Sequence, residues 1–310
     1  MNTTLLELQN AVVLRHTEPA GFFGLWGAKP VRAVDGVSLA LRRGETLGLM
    51  GGSGAGKTTL AEAATLRRLP DRGKVILEGN DVSKVKGGER TRLLRRLQMI
   101  RQDARESLDM DRTVRKQLVD RLQQAGIPDG EARVRRALVQ VELGDEFLGR
   151  TPGEMSGGQQ QRLAIARALM TGPVLVAADE PVSGVDPRLQ REMLAMMERV
   201  QREQNLTYLL ISHDRRTIRR LAHRVAVMDA GRLYEVGPSD AVFGEAKHPY
   251  SRVFLGPADG AMPPEEDMVG RVIAGCPWAR SCPLATERCR TAAPVLREVA
   301  ADHLVACHEV

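Results

Sequence analysis

At positions 51–59 the sequence is Gly51-Gly52-Ser53-Gly54-Ala55-Gly56-Lys57-Thr58-Thr59, which matches the pattern G-x-x-x-x-G-K-[ST] at every fixed position. Residues 46–50 before it form an apolar run that predicts a short strand, and residues 57–64 after it are good helix formers. Glycines allow successive backbone N–H groups to converge on phosphate oxygens, and the following helix directs its positive dipole end at the same anion. The stretch therefore predicts a phosphate-binding loop between a strand and a helix.

Two side chains of this loop have separate roles in the chemistry that the motif predicts. Lys57 reaches the β- and γ-phosphates of a bound nucleotide, and the hydroxyl of Thr58 binds the Mg²⁺ ion that bridges them. A dinucleotide-binding fingerprint is excluded, because after Gly52 and Gly54 a lysine stands where the third glycine belongs.

Composition is that of a soluble globular protein. Of the 310 residues, 43% are hydrophobic and 27% are charged, and the length favours one large α/β domain with an appendage. The sequence has no run of 18 apolar residues, and its first residues lack the features of a signal peptide, so a cytosolic location is expected. The net charge of +6 is spread along the chain, and aromatic residues make up only 3%. This favours a solvated surface over a platform that stacks single-stranded nucleic acid.

Alternating strand and helix patterns predict a doubly wound, mainly parallel sheet. Before the loop, residues 5–14 and 31–42 predict strands, the second with period-two alternation. Between about residues 105 and 170 the pattern is helical and carries no strand signal. Further strands are predicted at 74–77, 97–100, 174–178, 206–211 and 224–228, with a helix at 188–204.

The chain divides near a Gly- and Pro-containing, linker-like stretch at residues 256–264. We expect a nucleotide-binding domain at residues 1–255, with a helical subdomain at about 89–170. Residues 256–310 form a small C-terminal extension that contains all four cysteines.

Two adjacent carboxylates, Asp179 and Glu180, follow the predicted strand 174–178. Ligands of open α/β sheets bind at the carboxyl ends of the strands, and neighbouring side chains at a strand end point in different directions. Asp179 can therefore hold Mg²⁺ while Glu180 polarises the attacking water. The pair predicts hydrolysis at the bound phosphates.

A second anion-binding helix end is predicted at Met155-Ser156-Gly157-Gly158-Gln159, ahead of the helical residues 160–170. One nucleotide does not need two such ends from one chain. The stretch resembles the signature Leu-Ser-Gly-Gly-Gln of the ATP-binding-cassette (ABC) ATPases, with Met155 in the first place. The resemblance covers about residues 5–255, with the family's elements in order. It implies that two such domains face each other head to tail and that residues 156–159 complete the ATP site of the partner.

The fold that this resemblance implies is a P-loop NTPase of ABC type. Such a fold has a mainly parallel sheet core, an antiparallel β subdomain and a helical subdomain, here followed by the small cysteine-containing extension. The implied ligands are ATP and Mg²⁺, bound by the loop residues Gly51, Gly52, Ser53, Gly54, Ala55, Gly56, Lys57, Thr58 and Thr59 and by the partner's Ser156, Gly157, Gly158 and Gln159.

The resemblance also implies roles for residues outside the two loops. Gln102 falls where the family has a glutamine that senses the γ-phosphate, and it joins Thr58 and Asp179 around Mg²⁺. Asp186 matches the loop that communicates across the dimer. His213 lies at the position of the histidine that contacts the γ-phosphate and the attacking water. The aromatic residue that stacks on adenine stays open among His16, Phe22, Phe23 and Trp26.

The C-terminal extension resembles that of oligopeptide and dipeptide importer ATPases, on the residues 248–252 (His-Pro-Tyr-Ser-Arg) and on the cysteine segment after Gly275. This implies a peripheral ATPase subunit at the cytoplasmic face of the cell membrane. Its implied partners are two integral membrane permease subunits, a second and related ATPase chain and, indirectly, an extracytoplasmic solute-binding protein, with no nucleic acid. The alternative is a soluble, non-transport ABC ATPase in an enzyme or nucleic-acid complex.

The four cysteines have the spacing C-x5-C-x6-C-x17-C, at Cys276, Cys282, Cys289 and Cys307. Disulfides are disfavoured in a reducing cytosol, and zinc sites usually have closer C-x2–4-C pairs. Four thiolates suit a [4Fe-4S] cluster, although this spacing is not that of bacterial ferredoxins. Some ATPases of the importer type are thought to carry such a cluster here. A cluster, a zinc ion and unligated thiols all stay open.

Overall fold

The computed structural model describes residues 3–16, 30–128, 130–256 and 274–310. Three of the candidates for contact with adenine, Phe22, Phe23 and Trp26, lie outside these residues. His16 is the last residue of the first strand.

Twelve strands occur in the described part of the chain. They are β1 (Thr4–His16), β2 (Pro30–Arg42), β3 (Thr46–Met50), β4 (Arg72–Leu77), β5 (Asn80–Asp81), β6 (Leu97–Ile100), β7 (Leu175–Asp179), β8 (Thr207–Ile211), β9 (Arg224–Asp229), β10 (Arg232–Pro238), β11 (Arg297–Ala300) and β12 (His303–Val305).

The same residues form ten α-helices. They are α1 (Lys57–Ala64), α2 (Gly87–Arg96), α3 (Val114–Gln124), α4 (Gly130–Gln140), α5 (Gly157–Leu169), α6 (Pro187–Gln204), α7 (Arg215–Leu221), α8 (Ser239–Gly244), α9 (Pro249–Leu255) and α10 (Glu287–Thr291). Short 3₁₀ turns lie at Ala104–Glu106, Asp145–Phe147 and Pro152–Glu154.

The larger sheet has eight strands in the order β11-β12-β10-β9-β3-β8-β7-β6. The five strands from β9 to β6 are parallel to one another. In β3, β6, β7 and β8 every residue is buried, as expected for parallel strands covered on both faces. Because these strands are parallel, their carboxyl ends lie at one edge of the sheet.

The smaller sheet is antiparallel and has the order β2-β1-β4-β5. Helix α1 packs between the two sheets, and its residues Leu60, Ala61, Ala63 and Ala64 are fully buried in a core shared with β1 and β2. The mainly parallel core and the antiparallel subdomain predicted from the sequence are thus confirmed.

Helices α3, α4 and α5 form a helical region on the other side of the molecule. Their apolar faces, including Leu118, Leu122, Val134 and Leu138, belong to a second core that also contains the inner face of α6. The predicted periodicity of this region is confirmed. Residue 155 of the signature stretch is buried in this core, so methionine fills the apolar first position there.

The C-terminal extension adds strands to the larger sheet. In β12, Leu304 and Val305 pair with Val236 and Glu235 of β10, and β11 pairs with β12 at the sheet edge. Strands β10, β11 and β12 were not predicted from the sequence. Three of the four residues of β11 are exposed and one is half-buried, so this strand lacks the apolar run that identifies the other strands.

Buried and half-buried ion pairs link the extension to the rest of the fold. His303 of β12 contacts the carboxylate of Glu235 at 2.7 Å, and both residues are buried. Arg42 of β2 donates two hydrogen bonds to Asp302. Among the described residues, no helix is long and apolar enough to cross a membrane.

Candidate active site

Four strands of the larger sheet end beside one another at the candidate site. The phosphate-binding loop follows β3, Gln102 lies two residues after β6, Asp179 and Glu180 lie at the end of β7, and His213 lies two residues after β8. Strand order places β3, β8, β7 and β6 side by side. The topology thus brings these predicted residues to one edge of the sheet.

The loop at residues 51–56 has a backbone shape that requires glycine at two positions. Gly54 and Gly56 have φ of 72° and 98°, in the left-handed region where a Cβ is disfavoured. At Gly56 an added Cβ would also lie 2.0 Å from the carbonyl oxygen of Ala33. Ser53 and Gly54 are exposed at the tip, so their backbone N–H groups are accessible to an anion.

Lys57 folds its side chain back over the loop. Its ammonium group donates to the carbonyl oxygens of Gly51 and Gly52 at 2.9 and 2.6 Å. Burial lowers the pKa of Lys57, and the nearby carboxylates of Asp179, Glu180 and Asp229 oppose this shift. Phosphate oxygens bound in the loop would satisfy this ammonium group more completely than two carbonyls do.

Two of the three side chains predicted to bind Mg²⁺, Thr58 and Asp179, are in direct contact. The hydroxyl of Thr58 donates to Asp179 at 2.6 Å, and Asp179 is buried. Burial raises the pKa of Asp179, whereas the hydrogen bond from Thr58 lowers it. Magnesium is usually bound by one or two protein oxygen ligands together with water and substrate phosphates. A hydroxyl and a carboxylate beside the phosphate loop fit this requirement, and a bound cation would relieve the cost of burying Asp179.

Glu180 is fixed by residues that follow β8. Its carboxylate accepts hydrogen bonds from the backbone N–H of His213 at 2.8 Å and from the hydroxyl of Ser212 at 3.2 Å. The ring nitrogen Nδ1 of His213 lies 2.6 Å from the same carboxylate. Glu180 itself has φ of 49°, an uncommon backbone conformation for a side chain of this size. This uncommon backbone conformation accompanies a carboxylate that is held at the sheet edge by Ser212 and His213.

His213 and Gln102 are the exposed members of the site. The side chain of His213 is 73% exposed although its Nδ1 contacts Glu180, so its Nε2 edge is accessible to a ligand. Gln102 is exposed, and its amide group has no hydrogen-bond partner among the described residues. Both side chains are accessible to a phosphate group at this edge.

The signature stretch lies apart from these residues, at the start of α5. Ser156 and Gln159 form a reciprocal capping box, with the Ser156 N–H donating to Gln159 Oε1 at 2.9 Å. Ser156 and Gly157 are exposed, whereas Gly158 is buried against Leu189 of α6. The exposed helix start therefore presents its first N–H groups outward.

Asp186 has a structural role in this chain. It is the N-cap of α6, and its carboxylate accepts from the backbone N–H groups of Arg188 and Leu189 at 3.0 Å. With proline at the first position of α6, this cap fixes where the helix begins. Its exposed position is compatible with the contact across a dimer that the sequence predicts.

Sequence analysis missed three residues that contact the site. Ser212 contacts Glu180, while Asp229 and the buried Tyr250 lie beside the phosphate loop. Serine before a histidine carries no signal of its own. Tyr250 belongs to the His-Pro-Tyr stretch that was noted only as a mark of the C-terminal extension.

The four cysteines lie around a single pocket in the C-terminal extension. Trp278, His248 and His308 also line this pocket. Cys276, Cys289 and Cys307 are buried and Cys282 is half-buried, and none forms a disulfide. Burial, with smaller contributions from the other three thiols, raises the pKa of Cys276 to about 11. In the part of the chain that the structure describes, no group of three or more His, Cys, Asp or Glu side chains is arranged to hold a single metal ion.

Comparison with known proteins finds a matching family model and similar chains. A family model described as "ABC transporter" matches residues 34–183. Oligopeptide transport ATP-binding protein AppF of Bacillus subtilis is 35% identical over 90% of this chain and 89% of its own length. Probable peptide ABC transporter ATP-binding protein y4tS of Sinorhizobium fredii is 35% identical over 99% of this chain and 90% of its length.

The chain belongs to the ABC transporter family. Solved ABC cassettes have the same fold. The cassette MJ0796, in a dimeric post-hydrolysis state with ADP and Pi, aligns with a TM-score of 0.65 at 24% identity over 76% of this chain and 99% of its own. CbiO1 from Clostridium perfringens aligns with a TM-score of 0.66 at 23% identity, over 79% of this chain and 92% of its own.

As an ABC ATPase, the protein hydrolyses ATP and uses Mg²⁺. Lys57, Thr58, Asp179, Glu180 and His213 carry an ammonium group, a hydroxyl, two carboxylates and an imidazole at this edge, which are the kinds of group that phosphoryl transfer to water requires. The ABC family assignment and the ATPase activity predicted from the sequence are confirmed.

Proposed function

We propose that this ABC ATPase is the ATP-hydrolysing subunit of an importer for oligopeptides, dipeptides or related small solutes. The observation that carries the proposal is the arrangement at one edge of the larger sheet, where His213 and Ser212 hold the carboxylate of Glu180 beside the phosphate loop. Relatives named as peptide transport ATP-binding proteins match nearly the whole chain, including its C-terminal extension, and this supports peptides as the solute class.

Hydrolysis follows from what the residues of this edge can do. The loop N–H groups and Lys57 bind the phosphates, and Glu180 accepts a proton from the attacking water. Magnesium, when bound by Thr58, Asp179 and Gln102, neutralises charge on the phosphate oxygens. His213 orients the γ-phosphate through its exposed edge, while its Nδ1 contact keeps the Glu180 carboxylate in place. Catalysis is therefore positioning plus electrostatic stabilisation.

A second ATPase chain would complete the site. The exposed N-terminus of α5 at Ser156 and Gly157 presents N–H groups that the loop of the same chain does not use. In a head-to-tail pair, each such helix end would cover the nucleotide on the partner's loop. We take the partner to be a related but different chain, and Asp186 to contact it across the dimer.

The surface beside Gln102 is where we place the membrane subunits. Guanidinium groups of Arg67, Arg101, Arg121 and Arg167 lie close together at this side of the cassette. Burial, together with the charges of Arg121 and Arg67, lowers the pKa of Arg167 to about 10. Such a cluster of like charges is relieved by carboxylates, so acidic side chains of a cytoplasmic permease loop are a fitting partner. The assembly would lie at the cytoplasmic face of the membrane, with the solute-binding protein on the other side.

Affinity purification from detergent-solubilised native membranes tests the assignment. We expect two integral membrane subunits and a second ABC ATPase to co-purify with the tagged chain, and ATP hydrolysis by the complex. Recovery with nucleic acid or with a soluble enzyme complex would instead support the non-transport alternative.

A charge reversal tests the docking surface. Arg121→Glu is expected to reduce recovery of the membrane subunits while the purified chain still binds ATP. The control is Arg136→Glu, on the exposed face of α4. Equal recovery with both variants would contradict this position of the interface.

For the cysteine pocket we propose a [4Fe-4S] cluster. All four thiols line one pocket, and four thiolates are the usual ligand set of such a cluster. Among the described residues the buried indole N–H of Trp278 has no hydrogen-bond partner, and Trp278 borders the same pocket, so a donor is available to a cluster sulfide.

Metal analysis of the full chain tests the cluster directly. Protein purified without oxygen is expected to contain about four iron and four sulfide per chain, and Cys276→Ser to lose both. A stoichiometric zinc content would support the zinc alternative, and the absence of both metals would leave unligated thiols.

A further inference from the structure

Tyr250 joins the C-terminal extension to the rest of the fold. Its side chain is 4% exposed and its ring stacks on Phe254, with centroids 5.7 Å apart. Trp278 of the extension meets the same ring edge-on at 5.9 Å and 81°. The backbone N–H of Tyr250 donates to Nδ1 of His248 at 3.0 Å. The position of this tyrosine is therefore fixed from several sides.

The hydroxyl group of Tyr250 lies against the phosphate loop. A Cβ added to Gly52 would be 3.9 Å from the tyrosine oxygen. The backbone of Gly52 and the carboxyl group of Asp229 both lie beside this oxygen. Asp229 is the last residue of β9, the strand next to β3, so it is itself held by the sheet.

Two side chains contact Gly52, and they differ in whether the contact can persist when ATP binds. Lys57 donates to its carbonyl oxygen at 2.6 Å, but the same ammonium group is needed by the phosphates when ATP binds. Tyr250 is buried, whereas the tip of the loop at Ser53 and Gly54, where a nucleotide would enter, is exposed. It can keep its contact when Lys57 turns to the nucleotide.

We propose that Tyr250 is a positioning residue for ATP, whose hydroxyl fixes the first turn of the phosphate loop at Gly52 by bridging it to Asp229. The inference rests on the proposed function and deepens it. It makes the C-terminal extension part of the nucleotide site, because Trp278 holds the ring that presents the hydroxyl.

The test compares Tyr250→Phe with Tyr234→Phe in the full-length chain. Tyr234 is a buried tyrosine in the same aromatic cluster, 5.0 Å from Tyr250, but its hydroxyl has no hydrogen-bond partner among the described residues. Titration with a fluorescent ATP analogue measures affinity, and the purified transport complex supplies KM and kcat. Tyr250→Phe is expected to weaken binding and raise KM about threefold to tenfold with kcat nearly unchanged, because one hydrogen-bonded group is lost. Tyr234→Phe is expected to change neither.

The possible results distinguish a failure of the positioning role of Tyr250 from a failure of the proposed function. Equal affinities for Tyr250→Phe and wild type would overturn the positioning role, and so would a fall in kcat without a change in KM. Failure of the wild-type chain to bind ATP would refute the proposed function instead. If Tyr250→Phe does not fold, Trp278→Phe keeps the hydroxyl but reduces the ring contact and is expected to raise KM in the same direction; an unchanged KM there would also overturn the proposal.

Discussion

A methyl group at position 56 would lie 2.0 Å from the carbonyl oxygen of Ala33, in a residue whose φ is 98°. We therefore expect Gly56→Ala to distort the phosphate loop and lower ATP affinity at least tenfold, because both the contact and the backbone angle oppose a Cβ. Titration with a fluorescent ATP analogue measures the loss.

The matched control is Gly88→Ala, in α2, where nothing lies within 4 Å of an added Cβ. This variant is expected to bind ATP like the wild type. Wild-type affinity in Gly56→Ala would show that the loop tolerates a side chain and would contradict its described shape.

Residues that act through a local motif were predictable from the sequence. The loop 51–59 and the pair Asp179-Glu180 each follow a strand that can be recognised in the sequence by its continuous apolar run. Tyr250 could not be assigned to the site in this way, because its partner Gly52 lies about two hundred positions earlier in the chain. Only the packing of the C-terminal extension brings the two together.

At the scale of elements, the turn between β11 and β12 is attached to β2 by an ion pair. Hydrogen bonds from Arg42 lower the pKa of Asp302, burial opposes the shift and Arg224 supports it. Asp302→Asn is therefore expected to lower the free energy of unfolding by about 0.5–1 kcal/mol at pH 7, the modest amount typical of a partly exposed pair. Denaturant unfolding of both proteins measures the difference.

The stabilisation that the Arg42–Asp302 pair provides depends on pH. Since the pKa of Asp302 is lower in the folded protein than its ordinary 3.8, its stabilisation is present above that value and is lost as the pH falls through the folded pKa. The difference between wild type and Asp302→Asn should shrink over this range. A difference that grows on acidification would contradict the ion pair.

Most of the buried strands of the larger sheet were predicted, with β10 as the exception, whereas β11 and β12 were not. The strands β3, β7 and β8 are continuous apolar runs, and α5 carries a serine cap with glutamine three residues later, a pattern that marks a helix start. The strands β11 and β12 contain four and three residues. Their formation depends on the neighbouring edge of β10, which no local pattern shows.

At the scale of the whole molecule, the helix end at Ser156 is expected to act on a partner's nucleotide. Ser156→Arg should therefore reduce ATP turnover of the assembled complex at least tenfold, because the bulky cation blocks the dimer contact, while this chain's own loop binds ATP normally. Paired measurements of turnover and ATP affinity test this. Gln124→Arg, on an exposed face of α3, is the control for added charge.

An equal loss of ATP affinity in Ser156→Arg would mean that the signature stretch serves the loop of its own chain. That result would contradict the head-to-tail arrangement. The arrangement could be predicted only from the resemblance to ABC ATPases, since a single chain gives no geometric sign of which partner its exposed helix end will meet.

Glu180 acts as the general base in the proposed mechanism, and the substitution Glu180→Gln tests this role. ATP turnover and ATP binding are measured for complexes that contain Glu180→Gln, with Glu203→Gln on the exposed face of α6 as the control. We predict that Glu180→Gln retains ATP binding but loses at least about 100-fold in turnover, the scale of a lost general base. Undiminished ATP turnover together with intact ATP binding would contradict the role of Glu180 as general base.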